Sequence, residues 1–296
     1  MDNMDIKVCA VIVTYNRPEL LKKAMEALFA QTVPFKNVII VDNASDDDTR
    51  DYCIQITNLR NDVIYRRLET NLGGSGGFYE GIKTAVENNC GDYIVVLDDD
   101  AFLPDRYNEI LLKAIKDNPK VRCFTGNVNS STGNNFNPGE EEYVSVHRFS
   151  FVSPAFDVEL IKEIGYPEKD YFIWYDDTEY SMRVKKVSPI IRINHAVVYH
   201  CQKDVNVLDS LLWKKYYGIR NYLLMNKKHK NIFAYFFIRC GLWCRLMASC
   251  IIKQLIIERS IKRYKARLVM VRTAFEDARK NVQGINFNYY PGQGLE

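Results

Sequence analysis

The sequence predicts an α/β fold on a mostly parallel, Rossmann-like sheet, followed by a helical C-terminal extension. Three observations carry this reading. Short apolar runs alternate with segments of helical period at spacings of roughly 20 to 30 residues, as in βαβ units. Each run gives way to polar or glycine-rich residues, so the loops at one rim of the sheet carry the chemistry, where open α/β sheets bind ligands. Past about residue 205 the alternation stops, and residues 201–296 hold 18 Lys/Arg against 6 Asp/Glu, a net +12 that leaves −9 for the remainder of a +3 chain. We therefore expect an α/β domain over residues 1–205 and a basic helical region over 206–296. At 296 residues and 47% hydrophobic content, the chain can bury a sizeable core.

Val8–Val13 is a continuous apolar run, as expected of a strand buried on both faces. Asn16 then suits a helix cap and Pro18 a first helical turn, with Leu20, Leu21, Ala24 and Leu28 at helical spacing. Val38–Val41 is a second strand ending in Asp42-Asn43-Ala44-Ser45, and Asp46-Asp47-Asp48 starts a second helix. Val63–Leu68 is a third strand. It runs into Asn71-Leu72-Gly73-Gly74-Ser75-Gly76-Gly77-Phe78, a glycine-rich loop that can cradle phosphate or serve only as a tight turn, before helix resumes over Gly81–Glu87.

The fourth strand, Tyr93–Leu97, delivers Asp98-Asp99-Asp100 to the rim. On an extended backbone, residues two apart face the same way. Asp98 and Asp100 can then aim at one point, which suits a hard divalent cation. The same stretch also reads as a polar turn with an acid capping the helix begun by Pro104 and Asp105. Residues 127–142 read as an exposed hairpin, and Arg148–Asp157 as strand, with a short helix over Leu160–Ile164 closed by Gly165.

A second chemical stretch is Tyr171-Phe172-Ile173-Trp174-Tyr175 followed by Asp176, Asp177 and Glu179. Asp176 and Glu179 have capping-box spacing. A helix N-terminus would lower these carboxylate pKa values while aromatic surroundings would raise them, and a general base needs the raising. Ile190–Ile193 and Ala196–Tyr199 read as short strands leading to His200, which would complete an Asp/Asp/His ligand set. From Asp209 the chain turns helical. Ile232–Ile257 carries Arg239, Arg245 and Lys253 among apolar residues, with no uninterrupted run of about 20. The basic residues from Arg259 to Arg272 follow it. That pattern suits a helix lying on an anionic membrane; it also suits a helix packed on the body or a dimer interface, so a homo-oligomer stays open. Eight scattered cysteines without a CxxC pair and a polar N-terminus predict reduced thiols, a cytoplasmic location and no signal peptide. Nothing resembles a nucleic-acid module.

Taken in order, Thr14-Tyr15-Asn16-Arg17, Val41 to Ser45, Asn71 to Phe78, Asp98-Asp99-Asp100-Ala101, Trp174 to Tyr180 and His200 resemble the family 2 glycosyltransferases of the GT-A fold over about residues 6–225. Within that family they are most similar to bacterial galactofuranosyltransferases and share much with rhamnosyltransferases. Both groups carry an element like Tyr217 to Asn221. The resemblance implies a nucleotide-sugar pocket formed by Thr14, Tyr15, Arg17, Asp42, Asn71, Gly74, Asp98 and Asp99. It implies Mn²⁺ or Mg²⁺ on Asp98, Asp100 and His200, with Asp177 as the general base, Trp174 offering the acceptor an apolar face, and Asp176 and Glu179 holding the acceptor or orienting the base. The implied activity is inverting transfer of a sugar, foremost galactofuranose from UDP-galactofuranose, to a glycan or polyprenyl-diphosphate-linked saccharide in bacterial surface polysaccharide synthesis. That places the protein on the inner face of the membrane. Transfer from dTDP-rhamnose is the alternative. A non-catalytic nucleotide-binding protein is disfavoured because the rim acids are intact, and a nucleotidyltransferase because its basic Gly-rich N-terminal loop is missing.

Overall fold

Seven consecutive residues, Val8–Thr14, form β1, and all are buried. In the computed structural model, which describes residues 6–129, 141–201 and 212–291, this strand lies inside a parallel group. It pairs on one side with β2 (Asn37–Asp42) and on the other with β4 (Tyr93–Asp98), and β3 (Val63–Arg67) pairs with β2 beyond. Alternate residues feed two cores. Ala10, Ile12, Val95 and Leu97 pack with Leu21 and Met25 of α1 (Pro18–Phe29), whereas Val11, Val13, Ile94 and Val96 pack with Phe78 and Ile82 of α3 (Gly73–Glu87). Between β2 and β3 runs α2 (Thr49–Leu59), which starts after Asp48 as the acidic cluster predicted.

The expected parallel sheet holds through these four strands, and beyond β4 the sheet becomes mixed. There β8 (Pro154–Asp157) is antiparallel to β4 and to β6 (Cys123–Asn129), while β6 is parallel to β9 (Ile190–His200). The two-residue β5 (Ala101–Phe102) and β7 (Tyr143–Val146) both run antiparallel to β9. Apolar runs report burial and not strand direction, so this change leaves no trace in the sequence. The two strands expected before His200 are one continuous strand, whose register with β6 shifts between Gly126 and Asn127. Of Arg148–Asp157 only the last four residues are strand. They lead into α5 (Val158–Ile164), capped by Asp157 and closed at Gly165 with φ 78°. Helix α4 (Tyr107–Asp117) begins two residues past Asp105, and α6 (Asp176–Val184) begins at Asp176. The hairpin expected over 127–142 lies largely outside the described residues.

Two local expectations change. Asn16 does not cap α1: it sits at φ 51°, accepts from the Asp46 N–H through Oδ1 and ties its own N–H to Ser45 Oγ, so it binds two rim loops together. The glycine-rich stretch is mostly helix, since α3 begins at Gly73, and only Gly73 among these glycines needs positive φ (71°). Gly77, and Gly81 one turn on, let α3 approach β1. A Cβ on Gly77 would stand 2.4 Å from Val13 Cγ1, and one on Gly81 would stand 2.3 Å from Val11 Cγ1. Gly81→Ala is therefore expected to destabilise the chain by about 1–3 kcal/mol through overpacking. Urea unfolding would show it, and a neutral substitution would mean that α3 can shift freely.

The chain forms two units. The first comprises Met1–Lys169 and Asp176–Lys203, and the second Asp170–Tyr175 and Asp204–Glu296. The second is helical: α7 (Leu212–His229), α8 (Ile232–Cys250) continued by a π-helical stretch Ile251–Ile257, and α9 (Ile261–Lys280). The helical start expected at Asp209 lies outside the described residues. Tyr216, Tyr217, Leu223, Met270, Val271, Ala274 and Phe275 form its core. Ile232–Ile257 makes one 26-residue segment that is long and apolar enough to cross a membrane by length and composition. No unbroken apolar run announced it, because its cations are spaced widely. Phe233, Phe237 and Ile257 are each at least 70% exposed on it. All eight cysteines are free.

Candidate active site

The acids at the end of β4 meet the end of β9 through strand pairing. Ala101 pairs with His200, and the Cys201 N–H donates to the Asp100 carbonyl, so two stretches a hundred residues apart in sequence are clamped together. Asp98, Asp100 and His200 each offer a ligand atom, all within 4.8 Å of one another. The backbone turns at Asp99 and Asp100 instead of continuing as strand, yet the turn also brings Asp98 and Asp100 to one point. Asp99 goes elsewhere. Its Oδ2 accepts from Thr14 Oγ1 at 2.8 Å and its Oδ1 from Arg17 Nη1 at 3.0 Å, and the residue is buried. Expected among the donor-binding residues, Asp99 has both oxygens taken by the chain and serves to position Thr14 and Arg17. The same Arg17 nitrogen reaches Asp100 Oδ2 at 3.0 Å.

Three carboxylates here face one arginine and one histidine. Burial, then the charges of Asp100 and Asp99, push Asp98 up to about 8. Burial also lifts Asp99, with Arg17 and Thr14 opposing. At Asp100 burial acts upward too, but His200 and Arg17 outweigh it and hold the carboxyl below its usual range. The neighbouring Asp100 carboxylate in turn raises His200. The cluster therefore lacks positive charge. Asp100 Oδ1 is the clearest sign: it lies 3.0 Å from His200 Nε2, but the direction is wrong for a hydrogen bond, and the buried oxygen has no hydrogen-bond partner. Two hard oxygen ligands, an imidazole and an orphaned carboxylate oxygen fit a divalent cation such as Mn²⁺ or Mg²⁺.

The adjoining rim is built by hydrogen bonds between loops. Asp42 is fully buried and saturated. Its Oδ1 accepts from the Ser45 N–H, and its Oδ2 accepts from Tyr65 Oη and Arg67 Nη1. Asp42, expected beside the base or ribose, shapes the loop after β2 and pairs with its register partner Arg67 on β3. Asn71 accepts from the Gly73 N–H at 2.8 Å and so starts α3. Asn43, which the sequence reading passed over, accepts from the Leu72 N–H and donates to the Gly73 carbonyl, fastening that start to β2. Gly74 and Tyr15 are half-buried.

At the N-terminus of α6, Asp177 accepts from the Thr178 N–H and Oγ1. Burial raises its pKa, while Thr178 and Arg148 oppose the shift. Asp176 is buried beside Ser75, and burial plus the Asp177 charge lift it to about 7. The charge of Asp176 also bears on Asp98, which puts α6 and the acid cluster in one electrostatic field. Glu179 is fully buried and its Oε2 accepts two bonds from Arg183, whose guanidinium also donates to the Ile164 and Tyr166 carbonyls. It anchors α6, the helix that carries Asp177, to the turn after α5.

Trp174 belongs to the second unit and is 44% exposed. Phe172, Trp174 and Tyr175 all have φ between 67° and 69°, a costly conformation for non-glycine residues that persists only when surrounding contacts enforce it. Asn221 does so, with Nδ2 donating to the Tyr171, Ile173 and Trp174 carbonyls. Buried Arg220 adds bonds to the Asp170, Tyr171 and Gly284 carbonyls while lying over the Tyr216 and Tyr217 rings. Gly218 leaves room for the indole, since a Cβ there would stand 2.7 Å from Trp174 Cε3. The Tyr217 to Asn221 element is thus the clamp for the strained segment that leads in sequence to Asp176.

A parallel group of strands with rim acids, joined to a mixed edge that returns a histidine to them, is the GT-A arrangement. The chain belongs to glycosyl transferase family 2, whose profile matches residues 9–241. Galactofuranosyltransferase GlfT1 of Mycolicibacterium smegmatis is 37% identical over 93 residues, 31% of this chain and 30% of that protein. The poly-beta-1,6-N-acetyl-D-glucosamine synthase of Staphylococcus epidermidis is 27% identical over 117 residues, 40% of this chain and 27% of that protein. The matched stretch thus spans under a third of either relative. Among solved structures, S. aureus TarS 1-349 in complex with UDP-GlcNAc aligns over 98% of this chain and 100% of that one at TM-score 0.59 and 15% identity. GalNAc-T7 with UDP, GalNAc and Mn²⁺ aligns over 76% of this chain and 48% of that one at TM-score 0.63 and 14% identity. At these identities the structures establish the fold.

Proposed function

We propose that the protein is a metal-dependent, inverting glycosyltransferase that transfers galactofuranose from UDP-galactofuranose to a glycan or lipid-linked saccharide acceptor. The observation that carries this reading is the convergence of Asp98, Asp100 and His200 at one rim, in one electrostatic field with Asp176 at the start of α6. The galactofuranose donor rests on the Asn71 to Phe78, Asp98 to Ala101 and Asp176 to Tyr180 motifs and on the similarity to the M. smegmatis protein.

Asp98, Asp100 and His200 would hold Mn²⁺ or Mg²⁺, and the bound cation supplies positive charge against the departing diphosphate. Arg17, fixed by Asp99 and Asp100, leans the rim further toward an anionic leaving group. The acceptor hydroxyl attacks the anomeric carbon as the bond to the diphosphate oxygen breaks, and UDP leaves with the electron pair. Asp177 takes the hydroxyl proton. A single displacement inverts the anomeric configuration and requires no enzyme nucleophile.

Thermal shift with Mn²⁺ and either UDP or dTDP tests the donor. UDP is expected to raise the melting temperature and dTDP to do so less; protection by dTDP alone would replace this donor with dTDP-rhamnose.

The same reading places the protein at the inner face of the cell membrane through Ile232–Ile257 and the cations that follow. The support is a row of exposed Phe and Ile side chains flanked by Arg259, Lys262, Arg263 and Lys265, a combination that favours anionic interfaces. Truncation after Lys228 is expected to release the protein from phosphatidylglycerol-containing liposomes, and binding that survives truncation would refute this placement.

A further inference from the structure

Beside Asp177 the first unit opens a cleft of about 490 Å³ whose lining residues include two arginines, Arg148 and Arg192. Building on the transferase reading above, we propose that this cleft is the acceptor subsite and that it recognises an anionic group, a carboxylate or phosphate, on the acceptor saccharide through Arg148 and Arg192.

The two arginines line the cleft without a carboxylate partner among the described residues. In the same unit Arg17, Arg60, Arg67, Arg106, Arg122 and Arg183 each pair with a carboxylate. Among the described residues Arg148 makes no hydrogen bond or ion pair, and Arg192 makes one hydrogen bond and no ion pair. Among the described residues Asp177 is the only acid lining the cleft. Unspent guanidinium groups converging on a concave surface provide the planar, charge-assisted donors that bind carboxylate or phosphate in a fixed orientation.

The Arg192 side chain is held in place, and the backbone beside Arg148 is anchored. Arg192 lies on β9 in register with Thr125 of β6, and its Nε donates to Asn194 Oδ1 at 2.8 Å. Asn194 is buried and its amide is fixed in turn by the Glu141 carbonyl, so the terminal nitrogens of Arg192 are presented and not free to wander. The backbone next to Arg148 is tied to α6: the Phe149 N–H donates to Ser181 Oγ, which donates to the Asp177 carbonyl. Preorganised donors lose little entropy when a ligand binds. The cleft volume falls in the range of small-ligand sites.

The arrangement links recognition to chemistry. Burial raises the Asp177 pKa, and Thr178 and, after it, the charge of Arg148 oppose that rise. An anion seated on Arg148 offsets that charge and leaves Asp177 a stronger base when the right acceptor is present.

The test compares octyl β-D-glucuronide with neutral octyl β-D-glucoside on the full chain with Mn²⁺ and UDP, with binding read by calorimetry at low salt. The glucuronide is expected to bind about tenfold or more tighter, the scale of one charge-assisted contact. In R148Q/R192Q the ratio should fall to about one, and R148K/R192K should retain part of it, with melting curves confirming that each variant folds. Octyl glucoside 6-phosphate in a parallel arm identifies phosphate as the preferred anion if it outbinds the glucuronide. Equal binding of charged and neutral glycosides by the wild type, or a preference that survives R148Q/R192Q, overturns the proposal. Binding is read without turnover. A chain that selects the glucuronide but transfers no sugar would fault the transferase reading alone, and transfer to acceptors without charge preference would fault this proposal alone.

Discussion

Asp177→Asn is expected to lower the transfer rate by about 10²–10⁴, the usual contribution of a positioned general base, while leaving UDP affinity unchanged. Asparagine keeps the size of the side chain and one oxygen that can still accept from the Thr178 N–H and Oγ1, so the start of α6 should survive the exchange. What is lost is the negative charge that receives the proton. UDP release measured alongside calorimetric UDP binding separates the two effects, and a fully active variant would remove Asp177 from the mechanism. The pH profile gives a second check. Burial raises Asp177, and burial together with the Asp177 charge lifts Asp176 to about 7. A raised carboxyl pKa keeps the inactive protonated form populated to higher pH than at a surface aspartate, whose pKa is about 3.9. Activity should therefore climb with rising pH toward neutrality and level off above it. Two adjacent carboxyls titrate as a pair, so the limb belongs to Asp176 and Asp177 jointly. A limb near pH 4 would mean that neither buried acid is the base.

Much of this site can be read from the chain because it sits where strands end. Continuous apolar runs locate β1, β2 and β4, and the polar residues directly after them are the rim, so Thr14, Arg17 and Asp98 to Asp100 are found by position alone. The division of labour among these residues is not legible. Asp42, Asp99 and Glu179 have the same residue type as the site acids, yet each is consumed by a basic residue that only the fold delivers: Arg67 by strand register, Arg17 by the turn after β1, and Arg183 by one helical turn. Glu179 was within reach, since an acid four residues before an arginine on a helix pairs locally. The role of Asn221 was not, because it depends on three carbonyls some fifty residues away. The glycines of α3 were misread for a similar reason. Glycine serves both conformational freedom and close approach, and only the position of β1 shows that Gly77 and Gly81 serve the second.

The metal assignment separates two neighbouring aspartates by consequence. Asp100→Asn is expected to weaken Mn²⁺ binding by more than the roughly 10–100-fold that altered outer partners of a metal site usually cost, and transfer should fall in step. The reason is local: Asp100 Oδ1 is buried without a hydrogen-bond donor and lies 3.0 Å from His200 Nε2, whereas the other oxygen is taken by Arg17. Asp99→Asn should do the reverse. Its carboxylate meets Thr14 and Arg17, so Mn²⁺ affinity should change little while the melting temperature falls, because a buried charge-assisted pair is broken. Titration of Mn²⁺ by electron paramagnetic resonance, beside melting curves for both variants, makes the comparison. EDTA should abolish transfer by the wild type, and added Mn²⁺ should restore it. Were Asp99→Asn to cost the metal and Asp100→Asn to spare it, the roles given to the two oxygen pairs would be exchanged. Arg17 would then be the partner of Asp100, holding the turn in place, and Asp99 would be the ligand.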